Sequence, residues 1–218
     1  MITAVFFDVG ETIVDESREY GTWADWLGVP RHTFSAVFGA VIARALDYRE
    51  TFQVFRPGFD LPAERERRAA AGQPESFGEE NLYPDARPCL HALQEQGLLV
   101  GLAGNQTARA ETILRALDLP VDMIGTSDGW GVEKPSAAFF DRVVAEAGGD
   151  PAAVLYVGDR LDNDVRPAQV AGVHTALIRR GPWGFILDDP DVAQRCLFRL
   201  DSLEELPALV AKYNAAGD

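Results

Sequence analysis

Five short apolar runs, at residues 4–7, 98–103, 121–124, 154–157 and 174–178, constrain this chain more than any other feature. Each spans four to six residues and ends near Gly, Asp or Asn. Runs this short, apolar without alternation and closed by turn residues fit parallel strands covered on both faces. Between them the apolar positions recur at helical spacing. Phe139, Phe140, Val143, Val144 and Ala147 form one stripe, closed by Gly148-Gly149. Ile113, Leu114 and Leu117 form a second before Pro120, and Leu90 and Leu93 lead to Gly97. Leu203, Leu206, Leu209, Val210 and Tyr213 form a last amphipathic helix. Gly stops a helix because it takes the left-handed conformation without a Cβ clash. Such alternation predicts an α/β fold built on a doubly wound parallel sheet.

One interval breaks the rhythm. About ninety residues separate the first two runs, far more than a crossover needs. Within it Phe34, Val37, Phe38, Val41, Ile42 and Ala45 repeat at helical spacing. Arg65, Glu66, Arg67 and Arg68 read as the solvated face of another helix, and Pro57-Gly58, Gly72 and Gly78 punctuate the segment. The expected organisation is a core of residues 1–15 and 82–218 with an all-α insertion at 16–81.

Composition narrows the class. At 218 residues and 47% hydrophobic, the chain can bury a sizeable core. A formal net charge of -14 argues against nucleic acid and against anionic membranes as partners. Cys89 and Cys196 form no CxxC pair, which fits buried thiols in a reducing compartment. The N-terminus lacks a signal-type stretch and no apolar run reaches membrane length, so a cytoplasmic location is expected. Oligomeric state, monomer or homodimer, stays open.

In open α/β sheets ligands bind beyond the carboxyl ends of the strands. The residues following each run therefore matter most. Asp8 follows the first and Gly104-Asn105-Gln106-Thr107 the second. Gly131-Val132-Glu133-Lys134-Pro135 follows the third, and Gly158-Asp159-Arg160-Leu161-Asp162-Asn163-Asp164 the fourth. A carboxylate, an amide, a lysine and an acidic cluster on one edge suit a phosphate ester and a hard cation. A phosphate dianion repels a carboxylate nucleophile, and Mg²⁺, which prefers oxygen ligands, offsets that repulsion. Asp8, Asp159 and Asp164 are candidate ligands. Lys134 would stabilise developing charge, and Thr12 and Asn105 can hydrogen-bond phosphate oxygens. Lys134 is one of only two lysines in an arginine-rich chain.

These stations, in this order, resemble the motifs of the haloacid dehalogenase (HAD) superfamily. Its phosphatases carry Asp-x-Asp-x-Thr after the first strand, where this chain reads Asp8-Val9-Gly10-Glu11-Thr12. Lys134-Pro135 resembles the third motif, and Gly158-Asp159 with Asp164 the fourth. The resemblance covers residues 1 to about 178, and the insertion lies where the family places a helical cap. It implies that Asp8 forms an aspartyl-phosphate. It implies that Mg²⁺ binds Asp8, the backbone carbonyl of Gly10 and Asp159, with Asp164 beside or behind. Two departures stand out. Gly10 replaces the second Asp, the general acid/base, and Gly104 replaces a phosphate-binding Ser or Thr. Glu11 stands where Gly is usual, so Gly10 and Glu11 can have exchanged roles, with Glu11 as acid/base.

The expected function is a Mg²⁺-dependent phosphatase acting on a small phosphorylated metabolite. Two alternatives remain open. A catalytically weak or inactive member would bind a phosphorylated ligand or a protein partner. A haloacid dehalogenase would need no acid at Gly10, since halide leaves without a proton; yet that branch dispenses with metal. Tyr20, Trp23, Arg44 and Arg49 are further candidates for substrate selection, against packing as the simpler role. Trp130 and Trp183 stand as either site-edge or loop-packing residues.

Overall fold

The structure, a computed structural model, describes residues 1–216. The chain divides into two compact units, Met1–Asp15 with Leu82–Asp218, and Glu16–Asn81.

The second unit carries helices α1 (Ser17–Leu27), α2 (Arg31–Ala43), α3 (Glu50–Phe55) and α4 (Leu61–Ala70). Its core is aromatic. Trp23 meets Phe52 at 5.5 Å and Phe59 at 5.9 Å between ring centroids, and Phe52 stacks on Phe59 at 4.8 Å. Tyr20 packs on Phe38 at 4.4 Å, so Tyr20 and Trp23 both serve packing within this unit. Ala45 does not continue α2; it lies beyond the helix end with φ 52. Arg68 corrects the sequence reading. It is buried, its guanidinium lies 4.0 Å from the centroid of Trp23, and it donates to Glu19 and Thr22. A guanidinium is weakly hydrated and stacks on indole, so it tolerates burial that a run of charges does not advertise. Arg44 and Arg49 are exposed, and Arg49 pairs with Asp47.

The first unit holds a six-stranded parallel sheet of β1 (Ala4–Phe7), β2 (Leu99–Gly104), β3 (Met123–Thr126), β4 (Val154–Gly158), β5 (His174–Ile178) and β6 (Phe198–Leu200). Its order is β3-β2-β1-β4-β5-β6. Around it run α5 (Ala86–Glu95), α6 (Ala108–Ala116), α7 (Ser127–Trp130), α8 (Ala137–Glu146), α9 (Arg166–Val170), α10 (Gly181–Ile186), α11 (Pro190–Ala193) and α12 (Leu206–Ala216). β1 and β4 are buried along their whole length, which explains their unbroken apolar sequence. The sheet is doubly wound, and its order reverses between β1 and β4. That reversal is the switch point at which such sheets open a crevice.

β3 is shifted from the apolar run that announced it, and β6 had no run to announce it. The third begins at Met123, because Asp122 turns its carboxylate back to accept from Val100 N at 2.7 Å. β6 is only three residues long with Arg199 exposed, too short for a recognisable apolar run. Among the described residues no helix is long and apolar enough to cross a membrane.

Candidate active site

The switch point sets the site. Asp8 leaves β1 while its N–H still bonds Val157 O at 2.8 Å, so the nucleophile candidate is fixed to β4 by backbone. Asp159 follows β4 directly, and a wide π-type turn at Leu161–Val165 brings Asp164 back to it. Asp8, Asp159 and Asp164 are all buried, and one carboxylate oxygen from each lies within 4.8 Å of the others. A Cβ at Gly158 would stand 2.6 Å from Asp164 Cβ, so glycine there is required for this approach. Asp162 is not part of the cluster; its half-exposed carboxylate pairs with Arg160 at 2.8 Å.

Among the described residues, Lys134 is the cation that enters this cluster. Its Nζ lies 2.7 Å from Asp8 Oδ1 and 2.6 Å from Asp164 Oδ1. The rings of Tyr156 and Phe139 form its floor, with centroids 5.5 and 5.9 Å from Nζ. Burial pulls its pKa down, but the Asp164 and Asp8 carboxylates outweigh that and hold it well above the ordinary lysine value. Asp159 is displaced the opposite way for an acid. Burial, then Asp164, Asp8 and Glu11, push it well above the carboxylate range. Asp164 rises to about 6, through burial that its contact with Lys134 only partly offsets. Asp159 Oδ2 is buried with no hydrogen-bond partner. Three carboxylates facing one ammonium, with an orphaned oxygen among them, form a hard, oxygen-rich site short of positive charge. A divalent cation such as Mg²⁺ fits this donor set.

Asn105 serves the lysine. Its Oδ1 accepts from Lys134 N at 2.8 Å and its Nδ2 donates to Lys134 O at 2.9 Å, pinning the backbone that carries Nζ. Gly104 also has a local reason. A Cβ there would lie 2.7 Å from Asp8 Oδ1, where the Asp8–Lys134 contact now forms. Thr107, three residues after Gly104, caps α6 by accepting from Ala110 N at 3.0 Å. Thr12 is wholly buried and its Oγ1 has no hydrogen-bond partner.

Gly10 is half-buried and bridges Val14. Glu11 takes the left-handed conformation at φ 53, which turns its side chain into the interior at 5% exposure. There its Oε2 accepts from Tyr83 Oη at 2.6 Å. Burial and that bond raise the Tyr83 pKa, so the phenol stays a donor. The Tyr83 ring lies under the Arg180 guanidinium at 4.1 Å, and Arg180 binds Asp85 through both nitrogens at 3.0 and 2.5 Å. Tyr83, Asp85 and Arg180 escaped the sequence reading. Arg180 stands just past the fifth run, where strand-end logic would have found it; Tyr83 and Asp85 carry no comparable signal. Trp130 packs on Phe139 at 5.2 Å, and Trp183 lies 4.6 Å from the Arg160 guanidinium next to Asp159.

Comparison with known proteins identifies the family. A family model described as haloacid dehalogenase-like hydrolase matches residues 2–172. A glyceraldehyde 3-phosphate phosphatase of Methanopyrus kandleri is 29% identical, over 94% of this chain and 96% of its own length. A ribulose-1,5-bisphosphate 5-phosphatase of Halopiger xanaduensis is 31% identical over 61% of this chain and 58% of its own. In fold, the magnesium-bound HAD-hydrolase YfnB of Bacillus subtilis superposes with TM-score 0.70 at 19% identity, covering 94% of this chain and 96% of that one. With Asp8 and Asp159 at the sheet's switch point and a family match across most of its length, the chain belongs to the haloacid dehalogenase-like hydrolases.

Proposed function

We propose that this hydrolase is a Mg²⁺-dependent phosphatase of small phosphorylated metabolites, with Asp8 as nucleophile. The observation that carries this reading is the Asp8–Lys134–Asp164 contact beside the unpartnered oxygen of Asp159. The sugar-phosphate phosphatases among its relatives support the substrate class. Asp8, Asp159, Asp164 and the Gly10 carbonyl would hold the cation. When bound, Mg²⁺ supplies positive charge that lets an anionic ester approach an anionic nucleophile.

The chain's own residues do the rest. Lys134 fixes the Asp8 carboxylate and stabilises charge gathering on the phosphoryl oxygens. An Asp8 oxygen bonds phosphorus as the ester P–O bond breaks, and the leaving oxygen takes a proton. Water then cleaves the aspartyl-phosphate and restores Asp8. Gly10 supplies no side chain for either proton transfer, and Glu11 is the nearest replacement in sequence. Asn105 keeps Lys134 in register, and Gly104 leaves room for the Asp8–Lys134 contact. Residues 16–81 act as a cap that selects the substrate, and the free thiols of Cys89 and Cys196 fit a cytoplasmic enzyme.

The test is phosphate release from an aryl and an alkyl monoester, with and without Mg²⁺. An aryl oxide leaves without help, so aryl turnover should exceed alkyl turnover. Gly10→Asp should raise the alkyl rate by about 10²-fold where no side chain yet supplies the proton, and an unchanged rate would mean that Glu11 already does. Binding without turnover on any ester would favour a ligand-binding role, and Mg²⁺-independent halide release from 2-chloropropionate a dehalogenase.

A further inference from the structure

Glu11 occupies a seat built from four restraints. Its left-handed backbone is strained for a non-glycine residue and persists only where the surroundings enforce it. The Val9–Val14 turn supplies the first restraint, with Glu11 N donating to Val14 O at 2.7 Å. Gly181 supplies the second. A Cβ there would lie 2.5 Å from Glu11 Cβ and 2.6 Å from Cγ, so only glycine lets α10 begin against this side chain. Tyr83 supplies the third, through the 2.6 Å bond to Oε2, and its own N–H is tied to Ile13 O at 2.9 Å. The fourth lies behind Tyr83. Arg180 stacks on the ring, donates to Thr12 O at 3.0 Å and binds Asp85. Asp85 Oδ2 also accepts from Ser202 Oγ and Leu203 N, both at 2.9 Å.

This is more support than burying one carboxylate demands. We propose that Tyr83, backed by Arg180 and Asp85, is a positioning residue that holds the Glu11 carboxylate in its working direction. The inference rests on the reading of Glu11 as acid/base. A side chain with three rotatable bonds loses its effect when its terminal group swings, and misplacing a reacting group by about 1 Å can cost about 10²-fold. A phenol bonded to one oxygen, with its ring clamped under a guanidinium, removes that freedom.

Tyr83→Phe keeps the ring beneath Arg180 and deletes only the hydroxyl. It should lower alkyl-ester kcat by about 10-fold with little change in KM, so that the alkyl-to-aryl ratio falls. Thermal unfolding, measured alongside, reports any loss of structure, which would depress both esters together and leave the ratio intact. Glu11→Gln is the reference variant. It should reduce the same ratio more strongly, and Tyr83→Phe added to it should have no further effect. If Glu11→Gln shifts the ratio and Tyr83→Phe does not, the positioning role is wrong while the reading of Glu11 survives. If Glu11→Gln leaves the ratio unchanged, that reading fails and the positioning role falls with it.

Discussion

Glu64 and Asp159 are both buried carboxylates, and their surroundings treat them in opposite ways. Glu64, in the helical unit, accepts from Arg67 at 2.7 Å and Arg56 at 3.0 Å on one oxygen, and from Trp26 at 2.7 Å on the other. The Arg67 bond leads in holding its pKa below the ordinary value. Asp159, in the α/β unit, has an oxygen with no partner and two further carboxylates close by. Burial and that company hold its pKa well above the ordinary range. Glu64 is a settled structural acid. Asp159 is an unsettled one, and buried charge left without compensation marks a place where a ligand completes the balance.

The contrast can be broken at several points. The largest effect belongs to the nucleophile. Asp8→Asn should lower turnover by about 10⁴-fold or more, since groups that act as a unit fail together; a steady-state assay with retained activity would move the chemistry elsewhere. Next comes the cation. At 100-fold excess over its Kd, Mg²⁺ should stabilise the protein by about 2.7 kcal/mol, raising Tm by roughly 5–10 °C in thermal denaturation. No such rise should occur in Asp159→Asn. In chelator, that same variant should be more stable than the wild type by about 1 kcal/mol, because it deletes a carboxyl that burial and its acidic neighbours hold away from its ordinary ionisation. A less stable variant would mean that Asp159 is as settled as Glu64. The smallest effect is at Glu64→Gln, a loss of roughly 1 kcal/mol, since Arg56 and Arg67 are half-exposed and screened by solvent. The sign with pH follows. A carboxylate whose folded pKa is depressed contributes stability above its unfolded pKa and loses it as pH falls through the folded value. Wild type should therefore lose stability on acidification more steeply than Glu64→Gln, measured by denaturant unfolding across the acid range.

Much of the sheet was legible because buried parallel strands must be apolar on both faces. The runs at 4–7 and 174–178 coincide with β1 and β5. The third run misled because Val121 is apolar yet lies in the turn that Asp122 closes. Arg68 misled for the converse reason, being charged yet stacked inside on Trp23. In the site, Asp8, Lys134, Asp159 and Asp164 were legible as strand-end residues. Asn105 was legible as polar but not as the clamp on the Lys134 backbone.

The sequence by itself determined the alternation of strands and helices, the acids at the ends of β1 and β4, and the absence of a second Asp at Gly10. Those are local facts, since apolar period and turn chemistry act over a few residues. Only the tertiary structure decided which charges meet. It set Lys134 between Asp8 and Asp164, left Asp159 Oδ2 without a partner, and joined Glu11 to Tyr83 across 72 positions. Electrostatic compensation depends on distance and burial, and neither is fixed until the sheet has assembled.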